Sequence, residues 1–394
     1  MRPWQLILLI ILLTFFAVTT GWNILYILTY VLLSVLIFSW LWTYISLRQL
    51  TFRRSVAKGH VQVGEAFEEC LVLDNLSTLP KLWVQIADGS TLPGHHAGYV
   101  ASMGARKRAI WRPKSRCRQR GHFQLGPVTA MSNDPFGLFT QRLHLAPASE
   151  ILVLPRVYQI AQLTIVAGGL PGRGRSSQRA LQRTINATTV REYVIGDSLS
   201  RIHWRSSARY SKLMVKEFDL DPAIDAWILL DLHEPVQAGE GEHSTEEYGV
   251  TIAATIAHYL LREDLSVGMV VNGERQEILA LDRGDRQIER MLELLAVVRA
   301  GLGPELKEAL AMDAFHFGRN SIVIVITPSD VRDWHESLRH LQLRGVRIAV
   351  VGLNAASFDH RSRDEDTLAL LEKTGIPVIR VRCGEAIPAI LEGG

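Results

Sequence analysis

The sequence predicts an α-helical transmembrane hairpin, then a β-sandwich-like domain, then a doubly wound α/β domain. Three observations carry that reading. Residues Pro3 to Leu47 contain no Asp, Glu, Lys, Arg or His. Short strands broken by Gly, Pro, Asn and Asp fill residues 50 to about 157, and from Ile224 onward apolar strands alternate with amphipathic helices. A chain of 394 residues has room for two or three such units. With 21% charged residues and a net charge of +3, it is neither a disordered acidic tail nor a generally basic nucleic-acid binder.

One helical span needs about 20 apolar residues. The uncharged run therefore fits two spans, Trp4–Thr20 and Ile24–Leu47, joined at Gly21-Trp22-Asn23. A helical hairpin is expected because lipid forces each backbone polar group to bond within its own segment. A cleaved signal peptide fits less well: the run is too long, a second follows it, and AVTTG lacks a small-x-small cleavage site. Arg2 precedes the hairpin, and Arg48, Arg53, Arg54 and Lys58 follow it. By the positive-inside rule both termini and the folded domains of this multi-pass protein are expected in the cytoplasm. Cys70, Cys117 and Cys383 offer no disulfide frame, in keeping with a reducing compartment.

Strand spacing over 50–157 matches a β-sandwich or barrel. Within it Arg112, Lys114, Arg116, Arg118 and Arg120 occupy every second position. Alternate strand positions share a face, which makes these five a basic stripe. That stripe reads as a solvated face that guards a strand edge, or as a surface for anionic lipid. Nucleic acid is not expected, because no aromatic stacking platform or recognition motif accompanies the charge.

Residues 158–190, with GGLPGRGRSSQRALQR, read as a flexible basic linker. GGLPGRGR is not a phosphate loop, since no Gly-Lys-Ser/Thr follows and no strand leads in. The alternation across 220–394 predicts a mainly parallel sheet covered on both faces. Ligands of such sheets lie at the carboxyl ends of the strands. Those ends hold Asp231-Leu232-His233-Glu234, Thr327-Pro328-Ser329-Asp330 and Gly352-Leu353-Asn354.

The densest cluster of chemistry is REYVIGDSLSRIHWRSSAR, residues 191–209. Asp197, His203 and Ser206 or Ser207 are the residue types of a hydrolytic triad. However, His203 and Ser207 fall one turn apart on a short helix capped by Asp197 or Ser198, and no Gly-x-Ser-x-Gly elbow is present. His95, His96, His203, His233 and His243 lack zinc-site spacing and no cysteine pair joins them, so no metal and no cofactor are expected. Two compatible readings remain. In the first, 191–219 is an interdomain brace: Gly196 turns the chain before Asp197, Arg191 pairs Glu192, Trp204 buries against the α/β domain, and Arg205 or Arg209 clasps a carboxylate. In the second, Arg191, Glu192, Tyr193, Trp204, Arg205 and Arg209 form a partner-contact surface, rich in the types that dominate interface energetics.

VREYVIGDSLSRIHWRSSARYSKLMVKEFD (190–219) resembles the signature of the bacterial and archaeal domain-of-unknown-function family numbered 58, and RGHFQLGPVTAMSNDPFGLF (120–139) resembles its upstream motif. The resemblance implies a membrane-anchored protein with a von Willebrand factor A-like C-terminal domain. It also implies work alongside a MoxR-type AAA+ ATPase, in a family with no established enzymatic activity. Metal-binding von Willebrand factor A domains use an Asp-x-Ser-x-Ser loop with a later Thr and Asp. Here His233 and Pro235 replace the serines and Pro328 follows Thr327, leaving Asp231, Thr327 and Asp330 as a strand-end remnant. The function expected is a non-enzymatic, membrane-tethered adaptor for client proteins. The alternatives are an envelope hydrolase using the 191–209 cluster and a protein that binds anionic lipid through its basic stripe.

Overall fold

The computed structural model describes residues 3–56, 59–164, 189–194, 197, 199, 202–217, 225–318, 321–359 and 367–393, with 189–191 and 216–217 described in backbone only. The chain divides into two compact units, Met1–Pro155 and Arg156–Gly394.

The first unit begins with helices α1 (Pro3–Thr20) and α2 (Asn23–Ser46), packed against each other and long and apolar enough to cross a membrane. Gly21, at φ +68°, supplies the left-handed turn between them. Small residues sit where the helices are buried: Ala17 and Ser39 are both fully inaccessible. Most hydroxyls along the helices are satisfied internally, although the buried Ser39 hydroxyl meets no partner among the described residues. Thr14 donates to Ile10 O, Thr20 to Phe16 O, Thr29 to Leu25 O, Ser34 to Tyr30 O, Thr43 to Ser39 O and Ser46 to Trp42 O. In the absence of water this back-bonding is what a serine or threonine needs.

Three residues after α2 the chain enters strand β1 (Leu50–Val56). It is followed by β2 (His60–Gln62), β3 (Ala66–Asn75), β4 (Lys81–Asp88), β5 (Tyr99–Met103), β6 (Arg108–Trp111), β7 (Lys114–Arg116), β8 (Gly121–Leu125), β9 (Val128–Asn133), β10 (Thr140–Ala146) and β11 (Ser149–Leu154). One sheet runs β1-β3-β6 with β7 on β3, a second β10-β9-β4-β5, and a third β2-β11-β8. Leu47, Leu50 and Leu73 pack on Val84, Ile86, Ala101, Met103 and Ala130, so the end of α2 shares the core of the first two sheets. A second core, with Val61, Phe67, Cys117, Leu125 and Val153, lies under the third.

Alternation along β3 directs Phe67, Glu69, Leu71 and Leu73 inward, which buries a carboxylate in an apolar row. Arg54 answers it, with Nε 3.1 Å from Glu69 and Nη2 2.8 Å from Asp88. His95 completes the group, 3.0 Å from Asp88, 3.7 Å from Glu69 and 2.7 Å from the Ser115 hydroxyl. Burial pushes the Glu69 carboxyl up, against the pull of Arg54 and His95. Asp88 is held down: burial acts to raise it, but hydrogen bonds from His95 and Ser90 and the Arg54 charge outweigh that.

In the second unit β12 (Thr189–Glu192) and β13 (Met214–Glu217) form an antiparallel pair, with α3 (Trp204–Tyr210) between them in sequence. A six-stranded sheet follows in the order β16-β15-β14-β17-β18-β19, parallel except for β16. Its strands are β14 (Asp225–Asp231), β15 (Ser266–Asn272), β16 (Gln276–Asp282), β17 (Ser321–Thr327), β18 (Arg347–Leu353) and β19 (Val378–Val381). β14 and β17 are almost wholly buried, as parallel strands covered on both faces must be. On one face lie α4 (Thr245–Arg262) and α5 (Asp285–Val297); Gly249 of α4 approaches Leu230, Ile326 and Leu353. On the other, α6 (Leu306–Asp313) and α7 (Val331–Leu343) bring Leu310, Trp334 and Leu338 onto Trp227, Leu229 and Val325. Gly268 faces the Trp227 ring so closely that a Cβ would lie 2.6 Å from it. The sheet is therefore doubly wound, as its sequence pattern predicts.

The expected linker starts later than residue 158. Tyr158 N–H donates to Thr255, Ala161 N–H to Glu392, and Leu163 is buried, so 158–164 is tied to the α/β domain. Residues 165–188 lie outside the described residues.

Replacing Asp88 with Ala leaves Arg54 and His95 facing Glu69 with one carboxylate fewer. Urea unfolding at neutral pH is expected to show a loss of about 3 kcal/mol. Because the folded-state value is depressed, that stabilisation is present above the ordinary 3.8 and is lost as pH falls through the folded value. Wild type and variant should therefore converge in acid.

Candidate functional site

The 191–217 segment folds around two serines. Ile202 bridges to Val215, and His203 N–H donates to Met214 O at 2.8 Å, placing the start of α3 against β13. His203, not Asp197 or Ser198, caps α3. Its Nδ1 accepts the Ser206 N–H at 3.1 Å, with the Ser206 hydroxyl 2.7 Å away. A ring nitrogen that accepts a backbone N–H must present its lone pair, which puts the proton on Nε2. Ser207 is buried. Its hydroxyl donates to His203 O at 3.1 Å and accepts the Met214 N–H at 2.9 Å, stitching helix to strand. Ser211 ends α3 in the left-handed conformation, φ 53°.

With the serines spent on structure, several expectations change. Trp204 does not bury: it is 68% exposed, and Tyr210 is 62% exposed. Ser207 is the residue α3 buries, so the helix presents no apolar groove for an indole. Arg205 and Arg209 are exposed and clasp no carboxylate among the described residues. Glu192 pairs with Lys212 at 3.1 Å; the Arg191 side chain and Gly196 lie outside the described residues. Tyr193 N–H bonds Leu213 O at 2.8 Å. Asp197 closes a turn by accepting the Val194 N–H at 3.0 Å. The His203–Ser206 contact has the length of a base–nucleophile pair, but the nitrogen involved already serves the helix cap, and Nε2 meets no carboxylate among the described residues.

The strand-end acid is differently placed. Asp231 is buried at the end of β14. Its Oδ2 accepts from the Thr327 and Ser329 hydroxyls, each at 2.6 Å, and its Oδ1 from His233 N–H at 3.1 Å. Thr327 Oγ1 in turn accepts the Ser329 N–H at 2.9 Å. Asp330, expected beside Asp231, instead caps α7 through Arg332 N–H at 2.9 Å and pairs with the Arg332 side chain at the surface. Sequence reading passed over Ser329; the signal was a hydroxyl two residues after Thr327, where Pro328 turns the chain at a parallel strand's end. No group of three His, Cys, Asp or Glu suited to a metal occurs among the described residues. Beside the cluster a cleft of about 390 Å³ opens, lined by Ser329, Asn354, Thr367, Arg380 and Arg382 among others.

The basic stripe keeps its alternation in part. Arg112, Lys114, Arg116 and Arg118 are exposed, with Ser115 and Cys117 buried between them. Arg120 departs from it and is fully buried, because the strand ends at Arg116 and the chain turns toward β8. Lys114 pairs with Glu68, and Arg116 bonds Gly64 O. Lys114 lies opposite Glu68 while α2 leads in beside Asn75, seven residues along β3. That places the stripe about 20 Å from the helices.

Residues 189–356, which span both clusters, match the model of the family described as "Protein of unknown function DUF58". The Bacillus subtilis protein YeaD, itself uncharacterized, is 24% identical over 306 residues, which is 75% of this chain and 74% of YeaD. Among solved structures, proximal thread matrix protein 1 from the mussel byssus is similar at TM-score 0.31 and 14% identity, covering 43% of this chain and 46% of that one. The CARDB domain of PF1109 from Pyrococcus furiosus is similar at TM-score 0.21 and 12% identity, over 26% of this chain and 91% of the domain. Likenesses at these scores place neither fold nor role.

Truncating Ser207 to Ala strands the Met214 amide. Hydrogen exchange at Met214 is expected to quicken about tenfold, with little change in the six-stranded sheet. Asp231→Ala unpairs two hydroxyls and an N–H around a buried carboxylate. A loss of about 3 kcal/mol in thermal or urea unfolding is expected, with Asp231→Asn milder.

Proposed function

We propose, taking the family match over 189–356 as the premise, that the protein is a non-enzymatic adaptor held at a membrane by α1 and α2. Its von Willebrand factor A-like α/β domain engages a MoxR-type AAA+ ATPase and client proteins. The observation that carries the adaptor role is the exposure of Trp204 and Tyr210 beside Arg205 and Arg209, which meet no carboxylate among the described residues. Large aromatics and arginines left in water on a short, well-capped helix are the usual anchors of a protein contact. The ATPase rests on the family resemblance.

The tether is supported by more than apolarity. Trp4 near the start of α1 and Trp40, Trp42 and Tyr44 near the end of α2 fall at one side of a hairpin, with Trp22 at its turn. Aromatic side chains at both boundaries of an apolar span mark the interfaces with headgroups. Arg48 lies over the Tyr44 ring, 5.0 Å from its centroid, and the positive residues after α2 favour the cytoplasm for the folded units.

Purification of the tagged full chain in detergent is expected to co-recover an AAA+ ATPase; recovery of other partners without one counts against that assignment. Arg205→Glu with Arg209→Glu is expected to leave stability within about 0.5 kcal/mol of wild type, since both side chains are exposed. The same pair should cut recovery of the partner by about tenfold or more. A variant that unfolds instead supports an internal brace.

A further inference from the structure

Strand register places four connections at one end of the first unit. Leu50 opposes Asn75, Lys81 opposes Met103, and Gln85 opposes Met131. The α2–β1 link, the 76–80 turn, the 104–107 turn and the 134–139 turn therefore all lie where α2 meets the sandwich. Hydrogen bonds confirm the grouping. Leu76 N–H donates to Gln49 O, Arg106 N–H to Ser77 O, and the Asn75 amide to both Leu79 O and Gly104 O, while the buried Lys81 ammonium reaches Ile45 O in the last turn of α2.

That end is greasy and cationic. Leu76, Leu79, Leu82, Trp83 and Phe136 are 60%, 48%, 42%, 67% and 54% exposed. Trp83 stands out at a bulge between Lys81 and Val84, and Phe136 tops a turn held by the Asp134 carboxylate. Large apolar side chains exposed on two turns and a strand bulge are costly in water, and they lie at the end where α2 enters the sandwich. Arg48, Arg106 and Lys107 are exposed around it and carry no ion pair among the described residues.

We propose that this end of the β-sandwich seats in the leaflet from which α2 emerges, with the leucines and aromatics at the acyl boundary and Arg48, Arg106 and Lys107 on the phosphates of anionic phospholipids. The inference rests on the membrane-spanning reading of α1 and α2. Apolar tips rimmed by cations are the pattern of interfacial binding, and the fused helix presents this end, not the stripe at Arg112–Arg118, to the bilayer.

The test uses the full chain in vesicles of phosphatidylcholine with phosphatidylglycerol. Cys70 and Cys383 are changed to Ser; Cys117 is buried, its thiol pushed up to about 11 by burial and Glu65, so it takes no label. An environment-sensitive fluorophore is placed singly by Leu79→Cys, Phe136→Cys, Leu33→Cys in α2 and Arg118→Cys. Spin-labelled lipid should quench positions 33, 79 and 136 but not 118, and iodide should quench only 118. Quenching by lipid at 33 with iodide access at 79 and 136 overturns the docking while leaving the hairpin in the membrane. Iodide access at 33 as well overturns both. Arg106→Gln and Lys107→Gln should each lower the docked-to-undocked ratio about fivefold. Equal quenching without these charges overturns the phosphate contacts, and equal quenching in phosphatidylcholine alone overturns the role given to anionic lipid.

Discussion

Everything in the first unit follows from how little chain separates helix α2 from strand β1. Only Leu47, Arg48 and Gln49 intervene, and Leu47 is already part of the sandwich core with Leu50, Val84 and Met103. Lys81 adds a second tie by donating to Ile45 O, and burial, then the neighbouring Arg48 charge, hold its ammonium below the usual lysine range. Such a junction transmits the helix direction into the sheets. Strand register gathers four turns at that end, and the short splice sets their exposed leucines and cations beside the emerging helix.

The two units solve the burial of charge in different ways. The sandwich keeps Arg54, Glu69, Asp88 and His95 together in its interior, each compensating another. A paired buried charge is costly to break but weak as a source of net stability. Its value here is to fix register, because β1, β3, β4, β7 and the loop carrying His95 must all arrive for the set to close. In the α/β domain the buried Asp231 carboxylate is held by two hydroxyls and an amide. That economy ties β14 to β17 at the carboxyl ends, where the adjoining cleft opens.

Much of the architecture was legible because it rests on periodicity. The uncharged run, the strand–turn rhythm and the alternation of apolar strands with amphipathic helices are one-dimensional signals that survive folding. Side-chain roles were less legible, because they depend on which partner arrives from elsewhere. Trp204 reads as a buried anchor until Ser207 is seen to take the inner side of α3. Arg120 continues a stripe in sequence, yet the strand stops at Arg116 and the chain turns it inward. Ser329, about a hundred residues from Asp231, is marked in sequence only by its place two residues after Thr327 at a strand's end. Nor does any local pattern announce that Glu69 needs Arg54.

The splice between α2 and β1 also limits how the hairpin can vary. Adding or deleting one residue in α2 swings everything beyond it by about 100° around the helix axis. With Leu47 and Lys81 holding the splice, the helix upstream of the change and α1 would turn toward a different side of the sandwich. The length of α2 is thus locked in phase with the sheets, so a thicker or thinner bilayer must be met by leaning the helices rather than by drift in their length.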